Sequence, residues 1–151
     1  MWIYGARGTR YSNTNDRDGE WSLKERWNFT WADMGMLDVP ACIEKMQEVT
    51  FAPKVNVIGH SQGTAMMWYA LSKNQDYFAE KVNRFVAIAA CIIAEVYRWG
   101  DTYEKLSNVY YQFEEQGYYN IYGEDESSIG FGAIDCVSKG GGSSCDAEAF
   151  E

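Results

Sequence analysis

The stretch Lys54-Val55-Asn56-Val57-Ile58-Gly59-His60-Ser61-Gln62-Gly63-Thr64-Ala65-Met66-Met67 decides how the chain reads. Val55 to Ile58 is a short, mostly β-branched run, interrupted by Asn56, that suits a buried strand. A helix is expected over Gln62 to Lys73. Between them lies Gly59-His60-Ser61-Gln62-Gly63, a Gly-x-Ser-x-Gly pentapeptide. Alone it is a weak signal, because glycine and serine are common. Its setting raises it, since a strand before and a helix after put Ser61 on a tight, strained turn, the geometry of a nucleophile elbow. Gly59 and Gly63 are expected to remove side chains that would clash where strand and helix cross. The helix start directs amide donors and the positive end of its dipole at Ser61. The Gln62 amide is then a natural oxyanion donor. The plain alternative is a strand, turn and helix with an incidental serine.

Working outward, Asp38-Val39-Pro40 reads as a helix start, with Asp38 as N-cap and Pro40 in the first turn. Val39, Cys42, Ile43, Met46 and Val49 follow at helical spacing, and Pro53 closes the segment. Val82 to Ala90 reads as a further strand. Trp2-Ile3-Tyr4 is a short strand-like piece ending at Gly5, and residues 5–20 read as a polar loop. Strand, helix, strand, helix, strand implies an α/β fold with parallel pairing and right-handed crossovers. Met34, Met36, Met46, Met66 and Met67 read as core packing. From about Ala94 the character changes: residues 96–122 are dense in Tyr and Glu, and the tail from Ser127 is rich in Gly and Ser.

The 151 residues suffice for one domain with a real core. A net charge of −9 argues against nucleic acid and against steering to anionic lipid headgroups. The aromatic share of 16% calls for a large buried surface or a partner surface. The longest apolar run, Phe85 to Ala94, is short for a bilayer crossing, and no signal peptide is visible at Met1. Cys42 and Cys91 lie in apolar segments and read as buried free thiols. Cys136 and Cys145 flank a Gly/Ser-rich turn where a local disulfide is sterically open. Asn28-Phe29-Thr30 is an N-glycosylation sequon, so Asn28 is a candidate modification site, although such sequons also arise by chance.

A serine hydroxyl needs a base to become a nucleophile. The usual order is Ser, then Asp or Glu, then His. The chain has one histidine, His60, inside the pentapeptide. Its backbone is fixed in the strand-to-helix turn, so its ring is expected to point away from the Ser61 hydroxyl and to line the site without acting as the base. No histidine follows Ser61.

The combination of motifs over residues 2–93 resembles the acid lipase family of α/β-hydrolases, which holds the gastric and lysosomal lipases and their steryl-esterase relatives. The matching stretches are Gly5-Ala6-Arg7-Gly8 with Tyr11-Ser12, Trp27-Asn28-Phe29-Thr30-Trp31, Asp33-Met34-Gly35, Leu37-Asp38-Val39-Pro40-Ala41 and Ile58-Gly59-His60-Ser61-Gln62-Gly63-Thr64. The resemblance implies a partial α/β-hydrolase core over residues 1–93 with a mainly parallel sheet. It implies the start of a helical cap over residues 94–151, and the spacing of Cys136 and Cys145 is that of a cap disulfide in animal lipases. It makes Ser61 the nucleophile and Gln62 an oxyanion donor of a lipid ester hydrolase acting on triacylglycerol or steryl esters, with no metal and no organic cofactor.

Implied partners are the lipid ester and a transient membrane or lipid-droplet surface, with no nucleic acid. Family members are typically secreted or lysosomal. The family's earlier strands, with the second oxyanion donor, and its later strands, with the triad acid and histidine, are expected outside these 151 residues. The sequence Tyr118-Tyr119-Asn120-Ile121-Tyr122-Gly123-Glu124-Asp125 offers a competing reading, in which Asp125 is the triad acid and not part of a solvated acidic cap loop. Two rivals stand beside the lipase reading: an acyltransferase or thioesterase with the same elbow, and a non-catalytic, truncated relative that binds lipid or a partner.

Overall fold

The computed structural model describes residues 1–9, 11, 12, 21–91, 108 and 110–120. The chain divides into two units, one of Met1–Asp16 with Phe29–Ala94 and the other of Arg17–Asn28 with Glu95–Glu151.

In the first unit the helical chain starts at Thr30, whose amide and hydroxyl donate to the Asp33 carboxylate at 2.7 and 2.8 Å. Those donors hold the Asp33 carboxyl below the ordinary aspartate range, with the Arg7 charge adding to the effect. Helix α2 (Trp31–Asp33) passes into a π-helical turn, Met34–Asp38, and then into α3 (Val39–Thr50). The expected N-cap role of Asp38 is corrected. It sits in ordinary helical backbone with no capping bond, and its carboxylate is taken by Arg7. The Arg7 amide donates to it at 3.1 Å, Nε donates at 2.8 and 3.0 Å, and Nη2 closes the ion pair. The end of α3 is set by Phe51 in left-handed backbone, φ 58°, before Pro53 is reached. Val39 and Ile43 are buried, as the helical spacing predicts, whereas Val49 is 50% exposed.

Strand β1 (Val55–His60) leads into α4 (Gln62–Lys73), then α5 (Gln75–Lys81) and β2 (Val82–Ile88). The bounds of α4 match the expectation, and β1 runs further than expected, to His60. The separate helix α5 was not anticipated, because its seven residues, Gln75 to Lys81, are too few to show a period. β1 and β2 pair in parallel, with Val57 opposite Phe85, Ile58 opposite Val86 and His60 opposite Ile88. A parallel pair separated by helices is the βαβ arrangement that the alternation implied. Trp2-Ile3-Tyr4 forms no strand: residues 1–6 have no regular structure, and Ile3 is 87% exposed. Three apolar residues are too short a run to fix an extended element without a paired neighbour.

The core is Val39, Ile43, Met66, Met67, Ala70 and Phe78, with Met34, Met36, Met46, Val57 and Phe85 packed against it. All five methionines singled out from the sequence therefore pack in or on it. Burial alternates along β1 and, from Arg84 onward, along β2, so Val57, Gly59, Phe85 and Ala87 face the core side. Ile58, Val86 and Ile88 form an exposed apolar strip on the other face.

In the second unit, α1 (Leu23–Arg26) opens with a capping box between Ser22 and Glu25. Residues 110–115 are helical. That segment ends in a Schellman arrangement, with Gly117 at φ 84° and the Tyr118 amide donating to the Phe113 carbonyl at 2.9 Å. Lys24 pairs with Glu114 at 3.4 Å. Asp125, Cys136 and Cys145 lie outside the described residues.

Candidate active site

The strand-to-helix turn at the end of β1 positions the site. Ser61 has φ 50° and ψ −120°, a conformation that costs a residue with a side chain on the order of 1–3 kcal/mol. A serine at a helix N-cap ordinarily accepts a bond from the first turn through its side chain. Here no such bond forms. The Ser61 carbonyl takes the Thr64 amide at 2.8 Å in its place. The Ser61 amide donates to the Ile88 carbonyl at 3.0 Å, which ties the turn to the end of β2. Ser61 and Gln62 are both exposed. Gln62 and Gly63 begin α4, where the amides have no intrahelical partner.

Gly59 is required by its neighbours. A Cβ there would lie 3.0 Å from the Gly63 carbonyl oxygen and 3.1 Å from the Phe85 ring. The matching expectation for Gly63 is corrected, since a Cβ at that position meets nothing within 4 Å. The crowding is one-sided: the Gly63 backbone, and not a side chain there, occupies the space that Gly59 leaves open. His60 lies on the exposed face of β1, alternate to buried Gly59, and no hydrogen bond joins it to Ser61 among the described residues. Asn28 is exposed between α1 and α2, and its amide donates to the Glu25 carbonyl at 3.3 Å. Cys42 and Cys91 are free thiols, the first half-buried and the second exposed. The burial expected of Cys91 is thus corrected, because β2 ends at Ile88 and the chain has already left the sheet. Burial raises the Cys42 thiol above its ordinary range.

The sequence did not point to Thr64, Gly35 or the pairing of Arg7 with Asp38. Thr64 is fully buried beside Ser61, and its place directly after the pentapeptide was the available signal. At Gly35 a Cβ would lie 2.6 Å from the Met66 carbonyl oxygen of α4. Arg7 and Asp38 are too far apart in sequence for spacing to couple them. Burial, and then the same Asp38 carboxylate, raises the Tyr4 phenol above its ordinary range.

A parallel strand–turn–helix with a strained, uncapped serine is the elbow of an α/β-hydrolase, and residues 6–124 match the α/β-hydrolase fold family. The chain belongs to that family. The chain is similar to several lipases. It is 37% identical to Lipase lipl-3 of Caenorhabditis elegans over 59% of this chain and 22% of that protein. It is 33% identical to Lipase lipl-5 of the same organism over 83% of this chain and 30% of that protein. With the gastric triacylglycerol lipase of Mus musculus the identity is 35% over 59% of this chain and 22% of that protein. The chain spans less than a third of the length of these relatives. The resemblance to the acid lipases read from the motifs is borne out.

Proposed function

We propose that Ser61 is the nucleophile of a lipid ester hydrolase, and that the Gln62 amide stabilises the oxyanion formed when Ser61 attacks the ester carbonyl. The observation that carries this is the Ser61 backbone, strained at positive φ with its hydroxyl released from capping. Attack joins Oγ to the acyl carbon, the Ser61 proton passes to a base, and the alcohol leaves. Water then cleaves the acyl-serine. The named relatives support a carboxylic ester of the triacylglycerol type as substrate. Residues 94–151 are read as the beginning of a cap, with Cys136 and Cys145 as its disulfide and Asp125 in an acidic loop.

Exposed His60 on β1 favours a second reading for these 151 residues, a non-catalytic relative that binds lipid or a partner. Hydrolysis of p-nitrophenyl octanoate separates the two. Without added base, the chain and Ser61→Ala release p-nitrophenol at the same rate. Added imidazole, acting as a free base, gives the wild type an increment that Ser61→Ala lacks. Equal rates at every imidazole concentration would contradict the nucleophile, and robust Ser61-dependent turnover without imidazole would contradict the absence of a base.

A further inference from the structure

Ser61 at φ 50° follows β1, and Ala89 at φ 48° follows β2. The strands are paired neighbours, so two strained turns sit side by side at one end of the sheet. One side chain spans them. Thr64, at 0% exposure, donates its hydroxyl to the Ser61 carbonyl at 2.6 Å and accepts the Cys91 amide at 2.8 Å. The hydroxyl proton is committed to the carbonyl and the lone pairs face an N–H, so the rotor has a single orientation. β-Branching restricts the torsion that aims it. Strain of this kind persists only where the surroundings over-determine it. At Ser61 they consist of the Thr64 hydroxyl and amide on its carbonyl and of Ile88 on its amide.

We propose that Thr64 is a positioning residue for Ser61, whose hydroxyl locks the elbow to the turn leaving β2 and so holds Ser61 in its strained conformation with Oγ free. The significance of the lock for catalysis rests on Ser61 being the nucleophile, but the lock itself does not. The isosteric change Thr64→Val removes the hydroxyl, and Thr64→Ser keeps it.

Nuclear magnetic resonance of the 151-residue chain tests the proposal. The Ser61 Cα and Cβ shifts report its backbone, amide exchange reports the Cys91 bond, and the signals of Ile43 and Phe78 report the fold. Thr64→Val is expected to move the Ser61 shifts and to speed Cys91 exchange roughly tenfold, the scale of one lost hydrogen bond. Thr64→Ser restores both. Retention of the Ser61 shifts and of Cys91 protection in Thr64→Val would overturn the lock, as would failure of Thr64→Ser to restore them. If Thr64→Val does not fold, Ala89→Gly is added to relieve the neighbouring turn, and the same signals decide. Imidazole-dependent acylation of Ser61, which Thr64→Val lowers and Thr64→Ser restores, is read separately. Its absence from the wild type would count against the nucleophile and leave the resonance result to decide the lock.

Discussion

At the scale of single residues, the glycines and Asn28 give the sharpest tests. Gly35 faces backbone, and backbone cannot rotate away. Gly35→Ala therefore costs about 1–3 kcal/mol in urea unfolding, the range for overpacking. Gly63→Ala meets open space and is neutral or stabilising by up to about 1 kcal/mol. A reversed order would show that the approach of Gly35 to α4 is misplaced. The pentapeptide made the strained turn at Ser61 legible at once, because the elbow is a local device of strand, turn and helix. It gave equal weight to Gly59 and Gly63, since sequence does not say which glycine faces the crossing backbone. The exposure of Asn28 supports its modification. Production of the chain in a secreting eukaryotic host is expected to give a glycan that a peptide N-glycosidase removes and that Asn28→Gln lacks. An unmodified secreted chain would refute it.

At the scale of elements, α5 is strapped to α3 by Tyr77, which donates to Glu44 at 3.1 Å. Burial, and then the Glu44 carboxylate, push the Tyr77 phenol up from 10.0 to about 12. The folded value lies above the unfolded one, so this contribution to stability is complete below pH 10 and is lost as pH rises through about 12. Tyr77→Phe is expected to flatten that part of the alkaline decline in the urea midpoint. An unchanged decline would dismiss the strap. Such cross-element links stay hidden in a sequence. The period along α3 revealed Val39 and Ile43, yet Asp38 looked like a cap because local spacing cannot announce Arg7 as a distant partner. Phe51 replaced Pro53 as the helix stop for a similar reason: proline marks where a helix cannot continue, and the chain had turned before reaching it.

At the scale of the whole molecule, the first unit concentrates its stability in a small core between the helices and one face of the sheet. Phe78, 1% exposed, is its largest fully buried side chain. Phe78→Ala is expected to cost about 3–5 kcal/mol and so to unfold a marginal domain. Near-native melting of that variant would show that the core lies elsewhere. The strip of Ile58, Val86 and Ile88 is open on a kind of sheet usually covered on both faces. A broad melt with self-association is therefore expected, and a sharp monomeric transition would contradict it. The alternation of elements made the parallel βαβ unit legible. The strand expected at Trp2-Ile3-Tyr4 failed because its apolar character was real but no partner strand fixes it among the described residues.

The central proposal is that Ser61 is set by its fold for attack on an ester and that, among the described residues, no base is hydrogen-bonded to it to complete the cycle. Peptide mapping by mass spectrometry after incubation with p-nitrophenyl octanoate and imidazole tests it most directly. A single acyl group on Ser61, trapped by acid quenching during turnover and absent from Ser61→Ala, is the predicted result. Adducts spread over Cys91 and the lysines, with Ser61 unmodified, would contradict the account.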